Sequence, residues 1–260
     1  MKLIISEKAI AGERIASFLA DGDVKQINVA GARTFQFNYK GEEIILVPLR
    51  GHISDVEFPK EYSNWMKTDF KKLASAKVLY SKKEYRIIDG IKAVAPDAKE
   101  MIIATDADRE GEAIGLEAIN YAKQTNKNVK ITRAYFSAIT KEDMDKSFNE
   151  LEEFDYNFAH SADARREIDL IWGAVLTRVI SITSGQLGKS FLSVGRVQTP
   201  TLALVVNREK ERMAFLKKKY WEIVAHCKKD KVFLAQHKTE KFFEKEKAQS
   251  VIDKDIKELI

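Results

Sequence analysis

IIATDADREGEAI, residues 102–114, runs an apolar strand straight into Asp106, Asp108, Arg109, Glu110 and Glu112. Carboxylates this close repel one another, and several cannot stay ionised together without a counter-charge. In an open parallel sheet, ligands bind beyond the carboxyl ends of the strands, which is where Asp106 and Asp108 fall. An Asp-x-Asp pair in extended or turning backbone puts both side chains on one side. That suits a hard cation such as Mg²⁺, which takes one or two carboxylates and leaves its other positions to water and phosphate. The same aspartates equally suit the cap of the helix that follows, where carboxylates are favoured in any case.

Outward from this stretch, strands alternate with helices. LIIS (3–6) reads as a buried strand ending at Glu7, and a helical pattern follows from Lys8 to Ala20. If that strand neighbours MIIAT, Glu7 reaches the same rim as Asp106. TFQFNY (34–39) alternates its aromatics, turns at Lys40 and Gly41, and returns as EEIILVPL, a hairpin. Helical pattern resumes over 83–95, then strand MIIAT, a helix from about Glu110 to Lys123, the strand VKITRAYF, and a helix opened by Thr140 with Asp143 three positions on. Such alternation predicts an α/β fold with a mostly parallel sheet flanked by helices.

After residue 150 the character changes. Asp155 to about Ile182 and Gln198 to Leu216 read as helices, with the Gly- and Ser-rich GQLGKSFLSVGRVQTP between them; YWEIVAHC and KVFLAQH then read as strands before a charged terminal helix. The expected domains are 1–150, a mainly helical 151–216, and the β-rich beginning of a further domain over 217–260.

Composition narrows the class. A hydrophobic share of 45% predicts a folded core, and 44 Lys plus Arg against 39 Asp plus Glu, with a pI near 9.0, lean mildly toward a polyanionic partner. The lone Cys227 excludes an intrachain disulfide and a cysteine-based zinc site. The N-terminal apolar run is too short for a signal peptide, and no stretch reaches the ~20 apolar residues of a membrane span. The expected location is the cytoplasm.

Glu7 after a strand, followed far downstream by DADREGEAI (106–114), resembles the Toprim signature in the version carried by type IA DNA topoisomerases. Arg50-Gly51-His52-Ile53 with Asp55, RAYFSAIT (133–140) and SVGRVQTP (193–200) resemble further segments of that family in the same order, so the likeness covers residues 1 to about 226. Lys8 directly after Glu7, with Ala11 where bacterial members often carry lysine, is similar to the topoisomerase III or archaeal pattern.

The resemblance implies a Toprim domain, the first part of a helical DNA-guiding domain, and the start of a β arch. It implies Mg²⁺ held by Asp106 and Asp108 with Glu7 among the ligands. Glu7 would handle a proton at the departing 3′-oxygen, with Arg109 and Glu110 completing the catalytic surroundings. Lys8 would touch phosphate. His52, Arg133, Arg165, Arg166 and Asp169, with the run Ser193, Val194, Gly195, Arg196, Val197 and Gln198, would contact single-stranded DNA. The implied protein is a monomer that needs neither ATP nor a membrane.

Read from the residues alone, ADARREIDL (162–170) is also an ordinary surface ion pair between Arg165 and Asp169 at i and i+4. Trp172, amid Ile171, Val175 and Leu176, is expected in the core, with base stacking as its second role. GQLGKS (185–190) imitates the end of a phosphate-binding loop, but Thr183 stands where the first glycine belongs, so it is set aside. Family members cut DNA with a tyrosine in a Tyr-x-Arg-Thr-like motif, and no tyrosine here has Arg-Thr two places on. The expected protein is the N-terminal portion of such an enzyme, inactive in strand cleavage by itself; the rival is a primase-like or nuclease-like Toprim module.

Overall fold

A computed structural model describes residues 1–258 other than Lys189 and Lys229. Its elements run β1 (Lys2–Ser6), α1 (Ala9–Leu19), β2 (Lys25–Val29), β3 (Ala32–Tyr39), β4 (Glu42–Pro48), β5 (Ser54–Glu57), α2 (Phe70–Ala74), β6 (Leu79–Lys82), α3 (Tyr85–Val94), β7 (Glu100–Ala104), α4 (Arg109–Ala122), β8 (Lys130–Arg133), α5 (Lys141–Asn149) and α6 (Tyr156–Thr183). Then follow α7 (Gln198–Ala214), β9 (Val224–Lys228), β10 (Val232–Gln236) and α8 (Lys245–Glu258).

Six strands form the main sheet in the order β2-β3-β4-β1-β7-β8. The pairings β4–β1, β1–β7 and β7–β8 are parallel, whereas β2 and β3 extend one edge antiparallel. The central strands are apolar throughout because both faces are covered. Leu3, Ile5, Met101 and Ile103 pack with Ile88 and Ile91 of α3 and Ile114 and Ile119 of α4. Their alternates Ile4 and Ile102 pack on the other face with Ile15 of α1 and Met144 and Phe148 of α5.

The hairpin between β3 and β4 turns where the sequence predicts, with Lys40 (φ 51°) and Gly41 (φ 75°) both left-handed, as a two-residue type I′ connection requires. A second turn of this kind, Ala30 (φ 50°) and Gly31 (φ 86°), joins β3 to β2, a strand the sequence did not signal. Strand β2 is an exposed edge with few apolar positions, so its period is faint. The strand expected over VKITRAYF stops at Arg133, where the backbone leaves the sheet to bridge Glu152.

The chain divides into two compact units, Met1–Thr199 and Pro200–Ile260. Helix α6 lies along α4, so residues 151–199 join the sheet in the first unit and the division falls beyond the change of character near residue 150. The second unit contains most of α7, the β9–β10 hairpin and α8. Among the described residues no helix is long and apolar enough to cross a membrane.

Candidate metal and nucleic-acid site

Parallel register sets the site. Ser6 at the end of β1 is the partner of Ala104 on one side and of Pro48 on the other. The chain just past these three strand ends carries Glu7, Arg50 to His52, and Asp106. Glu7 is 8% exposed, and its Oε2 accepts a 3.3 Å hydrogen bond from the Asp106 amide. Lys8 Nζ stands 2.8 Å from Glu7 Oε1 and 3.2 Å from Asp106 Oδ2. These bonds, Glu7 first and Asp106 second, hold the lysine pKa well above its ordinary range. The cation that two neighbouring carboxylates require is thus supplied internally by Lys8.

The two aspartates part company. Asp108 is the N-cap of α4, with Oδ1 accepting from the Gly111 amide at 2.8 Å. Asp106 caps nothing and faces Glu7. Its backbone is pinned: the carbonyl accepts from the Asp108 amide at 2.9 Å and from Arg133 Nη2 at 2.9 Å. Among the described residues no three His, Cys, Asp or Glu side chains converge as a ligand set. The facing pair Glu7 and Asp106 nevertheless offers all-oxygen donors of the type and number a hexahydrate-derived Mg²⁺ takes from protein.

Behind the rim lies a buried scaffold. Arg133 has no exposed surface: its Nε donates to Glu112 Oε1 at 2.6 Å, and its guanidinium also reaches the carbonyls of Ile103, Ala134 and Asp106. This corrects the expectation that Arg133 contacts DNA, since its donors are committed inside the protein. It positions Asp106. Tyr135, stacked 4.4 Å from that guanidinium, has its pKa pushed up to about 12 by burial and by the Glu112 charge.

His52 is likewise held within the fold, with Nε2 2.6 Å from Glu110 Oε1 and Nδ1 2.7 Å from Glu117 Oε1. Glu117 also accepts from the amides of Ile53 and Ser54 and from Arg166 Nη1 at 2.5 Å. Arg166 donates onward to the Ser54 carbonyl at 3.0 Å. Burial opposes charge on His52, but Glu117 and then Glu110 outweigh it, and its pKa is raised. His52 and Arg166 therefore brace the loop after β4 against α4 and α6. Glu117 was missed by the sequence reading. Its signal was there: Glu110 and Glu117 are seven apart, two turns along one helix face.

A second polar group joins α6 to the 192–198 segment. Arg196 holds Asp169 in a two-point pair, Nε–Oδ1 2.7 Å and Nη2–Oδ2 3.3 Å, while Arg165 stands 3.8 Å from Oδ2. Arg196 lowers the Asp169 pKa. Thr177 and Ser181, one turn apart on α6, fix this segment: the Val194 amide donates to Thr177 Oγ1 at 3.0 Å and the Leu192 amide to Ser181 Oγ at 2.9 Å. Ser193 donates to Gln198 Oε1 at 2.9 Å, the Gly195 carbonyl accepts from Thr199, and Val197 is exposed. Trp172, expected in the core, is 55% exposed, lining an open apolar groove with Ala74 of α2 and with Ile168, Ile171, Val175 and Leu176 of α6. Arg109 is exposed on the first turn of α4, and Lys189 of GQLGKS lies outside the described residues.

Comparison with known proteins gives two adjoining matches. The family model described as Toprim domain covers residues 2–139, and that described as DNA topoisomerase covers 153–258. DNA topoisomerase 1 of Thermoplasma acidophilum is 46% identical over 236 residues, 91% of this chain and 30% of the relative. DNA topoisomerase 1 of Archaeoglobus fulgidus is 43% identical, covering 97% of this chain and 37% of its own. DNA topoisomerase 3 of Schizosaccharomyces pombe is 32% identical, with 85% and 38% covered. The chain thus spans 30% to 38% of the length of these relatives.

Proposed function

Because this chain belongs to the type IA DNA topoisomerase family, with a Toprim domain over residues 2–139, we propose that it is the metal- and strand-handling portion of an enzyme that cuts, passes and reseals one DNA strand. The observation that carries the reading is the meeting of Glu7 and Asp106 across two adjacent parallel strands, joined through Lys8. Glu7 and Asp106 would hold Mg²⁺, with Asp108 beside them through the carboxylate oxygen that does not cap α4. The ion would supply positive charge where phosphate charge develops.

The residues' own work follows from their placement. Lys8, 62% exposed at its side chain, is free to swing from the carboxylates to an incoming phosphate. Glu7, shielded from bulk water, is suited to exchange a proton with the departing 3′-oxygen. Arg109 on the first turn of α4 and Glu110 against His52 flank the same rim. On α6 and the segment after it, Arg165, Asp169 and Arg196 form the polar part of a single-strand path, with Gln198 and the backbone of 193–197 beside them and exposed Trp172 available to stack on a base. The proposed setting is the cytoplasm.

The nucleophile is proposed to come from outside these 260 residues. Burial raises the pKa of both Tyr80 and Tyr135, the reverse of what activates an attacking oxygen. The test fuses this chain to the remaining portion of the Archaeoglobus fulgidus relative and runs labelled single-stranded DNA on a denaturing gel. A covalent adduct is expected from the fusion and none from the 260-residue chain, and Glu7→Ala in the fusion should bind the strand without forming the adduct. An adduct from this chain alone, abolished by mutating one of its own tyrosines, would overturn the assignment.

A further inference from the structure

On the far side of Glu7 from Asp106, the rim opens into a cavity of about 240 Å³ whose wall includes Ala9, Asn28, Arg33, Glu84, Arg50 and Arg86. Three arginines reach it from three places in the chain: β3, the loop after β4, and the start of α3. Among the described residues neither Arg50 nor Arg86 has a carboxylate partner, and Arg33 has only a 3.4 Å pair with exposed Glu13. Against them the lining sets one carboxylate, Glu84. Ala9 is the first residue of the 11-residue helix α1, whose cap Lys8 makes no side-chain cap bond and whose first turn holds no acid. The amides there add partial positive charge to the same wall.

Guanidinium groups left without carboxylates around a concave, water-accessible space are suited to a phosphate, which they engage through two parallel donors. With about 30 Å³ for each water, the cavity has room for a phosphate group and several waters. Its position selects the form of that phosphate. Arg50 is two residues past Pro48, the register partner of Ser6, and Ala9 is two residues past Glu7. The Gly51 amide, at φ 76°, donates to the Glu7 carbonyl at 3.1 Å, tying the arginine-bearing loop to the site.

We infer that Arg33, Arg50 and Arg86 form a second phosphate subsite, which holds the backbone of the single strand one or more nucleotides away from the phosphate at Glu7. This rests on the proposed strand-handling function and adds a path: the strand crosses the β4 end of the sheet after passing Glu7. None of the three arginines takes part in the groups around Glu7, Asp106 or Asp169.

The test measures binding of a fluorescein-labelled oligothymidylate to the whole chain over a salt series, for wild type, Arg50→Ala/Arg86→Ala, and Lys71→Ala/Lys72→Ala, which removes equal charge from exposed α2. Loss of the one phosphate contact should lower the salt slope by about 0.7. Affinity should fall about tenfold or more. The α2 variant should match wild type. A wild type that binds and an arginine variant with the same slope and affinity would overturn the subsite while leaving the proposed function standing. A wild type that binds no strand would sink both. In a parallel arm, inorganic phosphate is titrated while thermal unfolding is followed. Stabilisation of wild type but not of the arginine variant, with unchanged oligothymidylate binding, would assign the cavity to a free anion and overturn the strand path.

Discussion

Gly111 lies so close to Asp106 that a Cβ on it would stand 2.1 Å from the Asp106 carbonyl oxygen. The neighbour is backbone, held by the Asp108 amide and by Arg133, so it has nowhere to yield. The glycine of DREGE is therefore what lets the first turn of α4 close onto the carboxylate-bearing strand end. Gly111→Ala is expected to lower stability by about 3 kcal/mol, the upper part of the overpacking range, measured by urea denaturation. An unchanged midpoint would contradict the contact.

Glu112 and Arg133 form an ion pair with no exposed side-chain surface. Removing one partner strands a buried charge. Glu112→Leu or Arg133→Met alone is expected to cost about 3–5 kcal/mol, and the two together substantially less than the sum of the singles. Arg133→Lys should not rescue, because an ammonium cannot reach Glu112 and three carbonyls at once. Additive losses in the denaturation cycle would show that the pair is not coupled.

His52 gives the fold a pH dependence of known sign. Its pKa is raised, burial opposing and Glu117 with Glu110 prevailing. A raised folded-state pKa means the stabilisation is fully present below about 6.5, the unfolded value, and is lost as pH rises through the folded value. Stability measured across that window should decline in wild type and show a flatter profile in His52→Gln. A decline of equal size in the variant would place the titration elsewhere.

Lys8 occupies the place between Glu7 and Asp106 that an added cation would contest. Lys8→Met is expected to shift a calorimetric Mg²⁺ titration to lower concentration, by up to about thirtyfold, since its two ion pairs are worth about 1 kcal/mol or less each. A Mg²⁺ response that Lys8→Met leaves untouched would separate the lysine from the metal position.

Much of this arrangement can be read from the residues, and what cannot has a physical reason. The unbroken apolar runs of β1 and β7 announce a two-face-covered parallel sheet, and from that Glu7 and Asp106 follow to one rim. Whether Asp106 and Asp108 cap the helix or face a ligand had two answers in the sequence; the structure makes Asp108 the cap, because only its carboxylate meets the Gly111 amide, and sets Asp106 beside Glu7 and Lys8. The inward pairings of Arg133 and Arg166 were not legible in the sequence, for a common reason. An arginine's burial is decided by carboxylates distant in sequence, Glu112 and Glu117 here, and no local pattern reports such a pairing. Trp172 failed conversely: Ile171, Val175 and Leu176 around it on α6 are only half-buried, and it is itself exposed.

That metal and single strand meet at Glu7 and Asp106 is tested by calorimetric titration of Mg²⁺ with and without a bound oligothymidylate. A strand phosphate that completes the coordination should tighten Mg²⁺ several-fold, and by linkage Mg²⁺ should tighten the strand by the same factor. Both effects should vanish in Asp106→Asn while strand binding itself persists. Equal Mg²⁺ affinity with and without the strand, or a coupling that survives Asp106→Asn, would contradict the claim.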